Sequence, residues 1–347
     1  MATWKLILGV ALGLDILASF LYRVIKGRQI IGKHVVITGG SSGIGAALAA
    51  EFLRSGAGSI SLIARRMDVL QQTKTDLEAL AAQMASQEKK NKAKKPSSLS
   101  SSSVRVEVAS ADATDGASLA RAIQSLEEKS GPTDILVACA GSAKPGFFHE
   151  QDVGVFQSTM TLNYMGCVNA VKAVASGFLS RGSGLVVLVS STMGLVGFCG
   201  YTSYAPTKWA VRGLADCLRN EWAGSGVDVC IAYPVDTDTP GFHEENRTKP
   251  PACAAISNLG NLYSAEKTAQ VIVGGIKRGA YHLATPDVGV NLLMGLQAGI
   301  SPHTFGPVSG VIIAAVGSLV LRGLRVLMDT VVKHYAKKKV TVVKKDT

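Results

Sequence analysis

A glycine-rich turn at the end of a β-branched run constrains this chain more than any other feature. Residues 34–38, HVVIT, read as a buried strand, and Thr38-Gly39-Gly40-Ser41-Ser42-Gly43-Ile44-Gly45 follows, opening a helical stretch, AALAAEFLRSG. A strand, a glycine turn and a helix N-terminus together make a phosphate site. Glycine lets the backbone approach the ligand, and unpaired N–H groups with the helix dipole favour its negative charge. The spacing is GxxxGxG, and its weight comes from its place on the first strand. Gly39, Ser41, Ser42, Gly43, Ile44 and Gly45 are therefore candidate cofactor contacts.

From Lys33 onward, short β-branched runs alternate with amphipathic helical stretches, the pattern of repeated βαβ units. Strands are expected near 34–38, 59–64, 104–109, 134–138, 184–190, 227–232 and 281–284. The fold class is thus α/β, a Rossmann-type doubly wound and mostly parallel sheet of seven strands spanning residues 29–285. The second strand, SISLIA, ends in Arg65-Arg66 and not in the carboxylate that binds a ribose 2′-hydroxyl in NAD folds. A guanidinium grips a phosphate with paired hydrogen bonds, so NADPH is the expected cofactor, with Ser41 a second contact to its 2′-phosphate. The competing reading leaves Arg65 as a solvated surface charge. Asp112, after the third strand, is placed to meet the adenine ring.

Tyr204-Ala205-Pro206-Thr207-Lys208 has the form YxxxK, which puts both long side chains on one helix face. Tyr22/Lys26, Tyr263/Lys267 and Tyr335/Lys339 share the spacing, so context must choose among them. Only Tyr204 has a strand ending in Ser190-Ser191 thirteen residues earlier, Asn163 on the preceding helical stretch and a nucleotide fold upstream. With these residues the chain resembles the short-chain dehydrogenase/reductase family over roughly residues 30–285. The resemblance implies that Tyr204 gives its proton to a substrate carbonyl as hydride arrives from the nicotinamide. Lys208 would lower the phenol's pKa and hold the nicotinamide ribose, Ser191 would hydrogen-bond the carbonyl, and Asn163 would anchor a proton-passing water. Gly141, Pro234 and Thr237 complete the implied cofactor contacts, together with Tyr204 and Lys208 themselves.

Two positions depart from the family pattern. Ala138-Cys139-Ala140-Gly141 replaces Asn-Asn-Ala-Gly, removing a polar tie between strands, and Cys139 is not read as catalytic. Pro206 stands inside the YxxxK helix, where the first turn tolerates proline.

The segment Tyr233–Pro250 lies where this family places its substrate lid. Its DTDTPG and ENxxKP text resembles the 3-ketodihydrosphingosine reductases, which implies NADPH-dependent reduction of a long-chain lipid ketone to dihydrosphingosine. Asp236, Asp238, Glu244 and Glu245 are candidates for the substrate's ammonium, with Asp238 preferred; the alternative is that these carboxylates are solvated or cap a helix. A membrane-bound reductase of steroid, retinoid or acyl ketones competes within enzymes. A non-catalytic membrane scaffold is the reading from another class.

Charge distribution separates the body from its ends. The chain of 347 residues carries a net +11, yet residues 1–33, 86–103 and 322–347 hold +4, +4 and +6, leaving −3 for the rest. A nucleic-acid-binding body would itself be basic, so no nucleic-acid partner is expected. Residues 3–22 form an apolar run of spanning length, although Asp15 costs about 2.5–3.5 kcal/mol there. Arg23, Lys26, Arg28 and Lys33 follow at once, which places the downstream chain in the cytosol. Residues 1–28 are thus expected to anchor the chain in a bilayer. Residues 286–347 form a second membrane-associated segment and basic tail, with apolar runs at 288–300 and 305–321 that span, lie at the interface, or pack on the enzyme or in a dimer contact. Lys344-Lys345-Asp346-Thr347 resembles the dilysine retrieval signal of endoplasmic-reticulum membrane proteins. The Lys/Ser-rich stretch 86–103 is expected to be a mobile surface insertion. The six cysteines contain no CxxC pair, so neither a metal site nor a disulfide framework is expected, and the Asn246-Arg247-Thr248 sequon is expected to stay unmodified. The sequence leaves a homodimer open.

Overall fold

Apolar strands that read as continuous β-branched runs need cover on both faces, and strand–helix alternation supplies it. The structure, a computed structural model, describes residues 27–92, 104–297, 317 and 321–336. The first half runs β1 (His34–Thr38), α1 (Gly43–Arg54), β2 (Ser59–Ala64), α2 (Met67–Lys92), β3 (Arg105–Ser110), α3 (Gly116–Ser130) and β4 (Ile135–Ala138). The second continues through α4 (Val153–Met160), a π-turn (Thr161–Met165), α5 (Gly166–Arg181), β5 (Gly184–Val189), α6 (Ala205–Glu221) and β6 (Val227–Ala232). Then follow β7 (Thr237–Asp238), α7 (Pro240–Asn246), α8 (Pro251–Ser257), β8 (Tyr263–Ser264), α9 (Ala265–Lys277), β9 (His282–Leu283) and α10 (Val288–Leu296). Each strand expected from the sequence is present, within a residue or two at its ends.

The main sheet has the order β3-β2-β1-β4-β5-β6-β9 and every pairing is parallel. Side chains alternate across it. Val35 and Ile37 face Leu48, Phe52, Ile272 and Ile276 of α1 and α9, while Val36 faces the other layer, where Leu119, Val174, Phe178 and Val211 of α3, α5 and α6 pack. Phe52 and Phe178 are fully buried, one in each layer. Truncating either to Ala would cost about 3–5 kcal/mol.

The strand order reverses between β1 and β4, and ligands of open α/β sheets bind at the carboxyl ends of strands at such a switch. Thr38 pairs with Ala138 there, so the glycine turn after β1 faces the Cys139–Gly141 turn after β4. The polar tie that the sequence lacks at Cys139 comes instead from Thr38. Its hydroxyl accepts from the backbone N–H of Cys139 at 3.2 Å and of Ala140 at 3.4 Å.

Several segments differ from expectation or fall outside the described residues. Helix α2 continues to Lys92, so the insertion expected at 86–103 begins as helix, which its Lys, Gln, Glu and Ala content favours without any core to bury. Residues 93–103 lie outside the described residues. Helix α10 takes up much of the run 288–300 and packs on the enzyme, with Leu293 and Met294 buried in the α3/α5/α6 layer. Among the described residues no helix is long and apolar enough to cross a membrane. The run 3–22 lies outside them, as does 305–321 apart from residues 317 and 321. Arg28, at the end of the expected anchor, belongs to the body: its guanidinium pairs with Asp228 at 3.0 Å and donates to the Ala280 carbonyl at 3.0 Å.

Candidate active site

The nucleotide end is built from the turn after β1. Gly39 and Gly43 have φ of +71° and +56°, and a Cβ on Gly45 would stand 2.2 Å from the Gly39 carbonyl oxygen. Only glycine permits that fold of backbone. Ser42 is the N-cap of α1 but makes no side-chain cap, and no acidic residue occupies the helix's first turn. Its N–H groups therefore face a cavity of about 660 Å³. Uncapped donors, a helix dipole and close backbone approach all fit a pyrophosphate.

Gly39, Ser41, Ser42, Gly43, Ile44, Gly45, Arg65, Arg66, Asp112, Gly141, Pro234 and Thr237 all line that cavity, as do Ser191, Tyr204 and Lys208. Arg65 is exposed at its mouth, 4.0 Å from Asp112. Asp112 accepts from the Thr114 N–H at 2.9 Å and hydroxyl at 2.8 Å, and its carboxyl is held below the usual range, chiefly by the backbone bond. Ser41 is nearly buried, its carbonyl accepting from the Thr73 hydroxyl at 2.8 Å. Pro234 receives both the N–H and the hydroxyl of Thr192, while the Thr237 hydroxyl donates to the Val235 carbonyl at 2.7 Å.

At the other end, Tyr204 caps α6, with Pro206 in the helix's first turn. Lys208, one turn on, is buried; its ammonium donates to the Val189 carbonyl at 3.1 Å and lies 5.6 Å from the Tyr204 ring centroid. Burial works against the lowering expected from Lys208. The Tyr204 phenol is pushed up, first by burial and then by the charge of Glu245, while a hydrogen bond with Ser191 pulls the other way. The Lys208 ammonium stands over the ring, and burial lowers its own pKa.

Asn163 is 0% exposed in the π-turn and stands behind the cavity wall. Its Oδ1 accepts from the Ser142 N–H at 2.9 Å, and its Nδ2 donates to the Ser142 carbonyl and the Thr207 hydroxyl, each at 3.0 Å. The side chain is thus spent on clamping the β4 turn to α6, and any water it anchors would have to use its main chain. A Cβ on Gly141 would lie 2.9 Å from Asn163 Oδ1 and 3.4 Å from Lys208 Nζ, so this glycine lets the turn pass against both. Cys139 is half-buried in the cavity wall, and desolvation pushes its thiol up to about 12, so it keeps its proton at neutral pH.

The acidic loop sorts differently from the expectation. Asp238 is 57% exposed, lies 2.8 Å from His243 and does not line the cavity. Alternation within β7 explains it: Thr237 points inward and its neighbour outward. Asp236, Glu244 and Glu245 line the cavity instead. Glu245 accepts a short hydrogen bond from the Tyr201 hydroxyl and pairs with Lys249 at 3.3 Å. Lys249 is 4% exposed, 4.8 Å from the Phe242 ring centroid, and donates to Ser257, whose hydroxyl donates to Asp236 at 2.5 Å. Sequence reasoning missed Tyr201, Lys249 and Thr38; the Glu245/Lys249 spacing of four was the one available signal.

The profile of the short chain dehydrogenase family matches residues 33–89 and 81–250. The chain belongs to this family. Its two matched stretches meet where the Lys/Ser-rich segment begins. A 3-ketodihydrosphingosine reductase from Dictyostelium discoideum is 38% identical over 294 residues, covering 84% of this chain and 85% of that protein. A 3-dehydrosphinganine reductase from Danio rerio is 37% identical over 279 residues, covering 80% and 78%. Among solved structures, levodione reductase shares the fold, with TM-score 0.63 at 20% identity over 75% of this chain and 97% of that one. A short-chain dehydrogenase from Sphingobium yanoikuyae in complex with NADPH has TM-score 0.59 at 27% identity, covering 72% and 86%. The family member described here is an oxidoreductase with a nicotinamide cofactor site.

Proposed function

We propose that this chain reduces the 3-keto group of 3-ketodihydrosphingosine with NADPH, giving dihydrosphingosine. The observation that carries the reading is one cavity joining an uncapped helix N-terminus to Ser191, Tyr204 and Lys208, in a chain whose relatives are named for that reaction. The phosphorylated cofactor is supported by Arg65 and Arg66 at the cavity mouth and by the neighbour in complex with NADPH.

The glycine turn, Arg65 and Lys208 would hold the dinucleotide, which would supply the hydride. Tyr204 holds the proton that the carbonyl oxygen must gain, and burial keeps it there at neutral pH. Ser191, on the same cavity wall as the phenol, would donate its hydroxyl to the carbonyl and stabilise charge as it develops. Asn163 is a positioning residue that fixes the β4 turn against α6.

A lipid substrate suits the surroundings. An apolar groove lined by Gly197, Cys199, Ala205, Pro206 and Trp209 shares Phe198 and Tyr201 with the cavity, giving an alkyl chain a wall to follow. A chain of some fifteen methylenes gains about 0.8 kcal/mol per buried CH₂ in a bilayer, so the enzyme must work at the membrane. The run 3–22 and the basic residues after it support a membrane-anchored enzyme with its catalytic domain in the cytosol.

Incubation with NADPH and a panel of ketones, read by mass spectrometry of lipid products, tests this reading. Conversion of 3-ketodihydrosphingosine is expected; preference for a steroid or retinoid ketone with that lipid untouched would overturn it. Deleting residues 1–26, short of the docked Arg28, should loosen membrane association and leave turnover in detergent.

A further inference from the structure

The ketone proposed above carries an ammonium on the carbon next to the carbonyl. Whatever meets that ammonium must therefore stand within a few ångströms of the group that meets the carbonyl oxygen. Resting on that reading, we propose that Glu245 binds the substrate's ammonium and so selects 2-amino ketones over ketones without an amine.

Geometry eliminates the other carboxylates of the loop. Asp238 lies outside the cavity beside His243, and Glu244 is exposed and paired with Arg247 at 2.9 Å. Asp236 accepts from Ser257 at 2.5 Å and is tied into the base of the loop. Glu245 lines the cavity with its side chain only 16% exposed, and both of its contacts, from Tyr201 and Lys249, fall on Oε1. Neither contact uses its second oxygen. It also stands near the reacting phenol: Tyr201, which donates to it, has its ring centroid 5.9 Å from that of Tyr204, and its charge helps to hold the Tyr204 proton.

Charge balance points the same way. At this end Asp236 and Glu245 face a single enclosed cation of the loop, Lys249, which is held between the Phe242 and Tyr201 rings at 4.8 and 5.8 Å. Lys208, the buried cation beside Tyr204, is turned to the Val189 carbonyl. One negative charge of the loop is thus uncompensated, and a cationic ligand neutralises it in a poorly screened site. Tyr201 and Lys249 fix the carboxylate in advance, which spares the ligand the cost of ordering it. The pair also gives physical meaning to the ENxxKP text, whose two ionisable letters are Glu245 and Lys249. Once the ammonium arrives, the charge that retains the Tyr204 proton is cancelled, so the correct substrate itself makes the phenol a better acid.

The test compares 3-ketodihydrosphingosine with the 1-hydroxy-3-ketone of equal chain length that lacks the amine, using the full chain with NADPH. The natural chain should favour the amine at least tenfold in kcat/KM. Glu245→Gln, which keeps the side chain's size and an acceptor for Tyr201, should lower that ratio at least tenfold, mainly through KM. Asp238→Asn should leave the ratio within twofold. A natural chain that treats both ketones alike, or a Glu245→Gln ratio unchanged from it, overturns the proposal. The first comparison needs no variant, so it decides even if Glu245→Gln does not fold. A natural chain inert toward both ketones sinks the substrate reading instead.

Discussion

The Lys208 ammonium stands 5.6 Å from the centre of the Tyr204 ring and hydrogen-bonds the Val189 carbonyl, not the phenol. This arrangement gives the two residues separate tasks. Tyr204, pushed up by burial and by Glu245, keeps its proton for a carbonyl. Lys208 offers a buried donor to the cofactor side of the cavity.

Tyr204→Phe removes that proton while keeping the ring that Lys208 lies over. Steady-state turnover should fall by at least about 10²–10⁴-fold, the usual share of a general acid, with NADPH binding retained by fluorescence titration. Undiminished turnover would refute the assignment.

Arg65→Leu addresses the cofactor. The guanidinium is exposed and only loosely paired with Asp112, so its loss should leave the fold intact. Binding of NADPH should weaken by about tenfold or more, the order of a charge-assisted contact, while NADH changes little. Equal effects on both would leave Arg65 a solvated charge.

Gly141→Ala places a methyl 2.9 Å from Asn163 Oδ1, in a clamp with no free volume. The Asn163 amide or the Lys208 ammonium must shift. A lower kcat and a melting point reduced by an amount matching about 1–3 kcal/mol are expected, the cost of overpacking. Native kcat would contradict the close passage of this turn.

His34 couples stability to pH. Its ring is buried, with Nδ1 2.8 Å from the Gly131 carbonyl and Nε2 2.8 Å from the Ser61 hydroxyl. A carbonyl only accepts, so Nδ1 carries the proton and Nε2 accepts from Ser61. Burial lowers the folded pKa below 6.5, so the unfolded chain binds more protons as pH falls through that value. Stability is therefore full above about pH 6.5 and declines below it. Thermal denaturation at pH 7.5 and 5.5 should show the loss, and His34→Gln should reduce the difference between the two.

Much of this was legible in the sequence because it depends on local pattern. β-branched runs place the strands, and the order strand, glycine turn, helix identifies the phosphate end. Tyr204 was chosen from four YxxxK spacings by Asn163 and Ser191 upstream. What the sequence hid depends on tertiary environment. No spacing shows that burial and Glu245 push the phenol up, that Asp238 falls on the outward side of β7, or that Thr38 supplies the tie missing at Cys139. The run 288–300 left spanning, interfacial and packed readings open, and contact with the core through Leu293 and Met294 packs α10 on the enzyme.

Isotope transfer tests the chemistry most directly. Purified chain, NADPH carrying deuterium at the transferable position of the nicotinamide, and 3-ketodihydrosphingosine should yield dihydrosphingosine one mass unit heavier, with the label on C3, and Tyr204→Phe should yield almost none. Unlabelled product, or labelled product formed equally well without the Tyr204 hydroxyl, would contradict hydride reduction with Tyr204 as the acid.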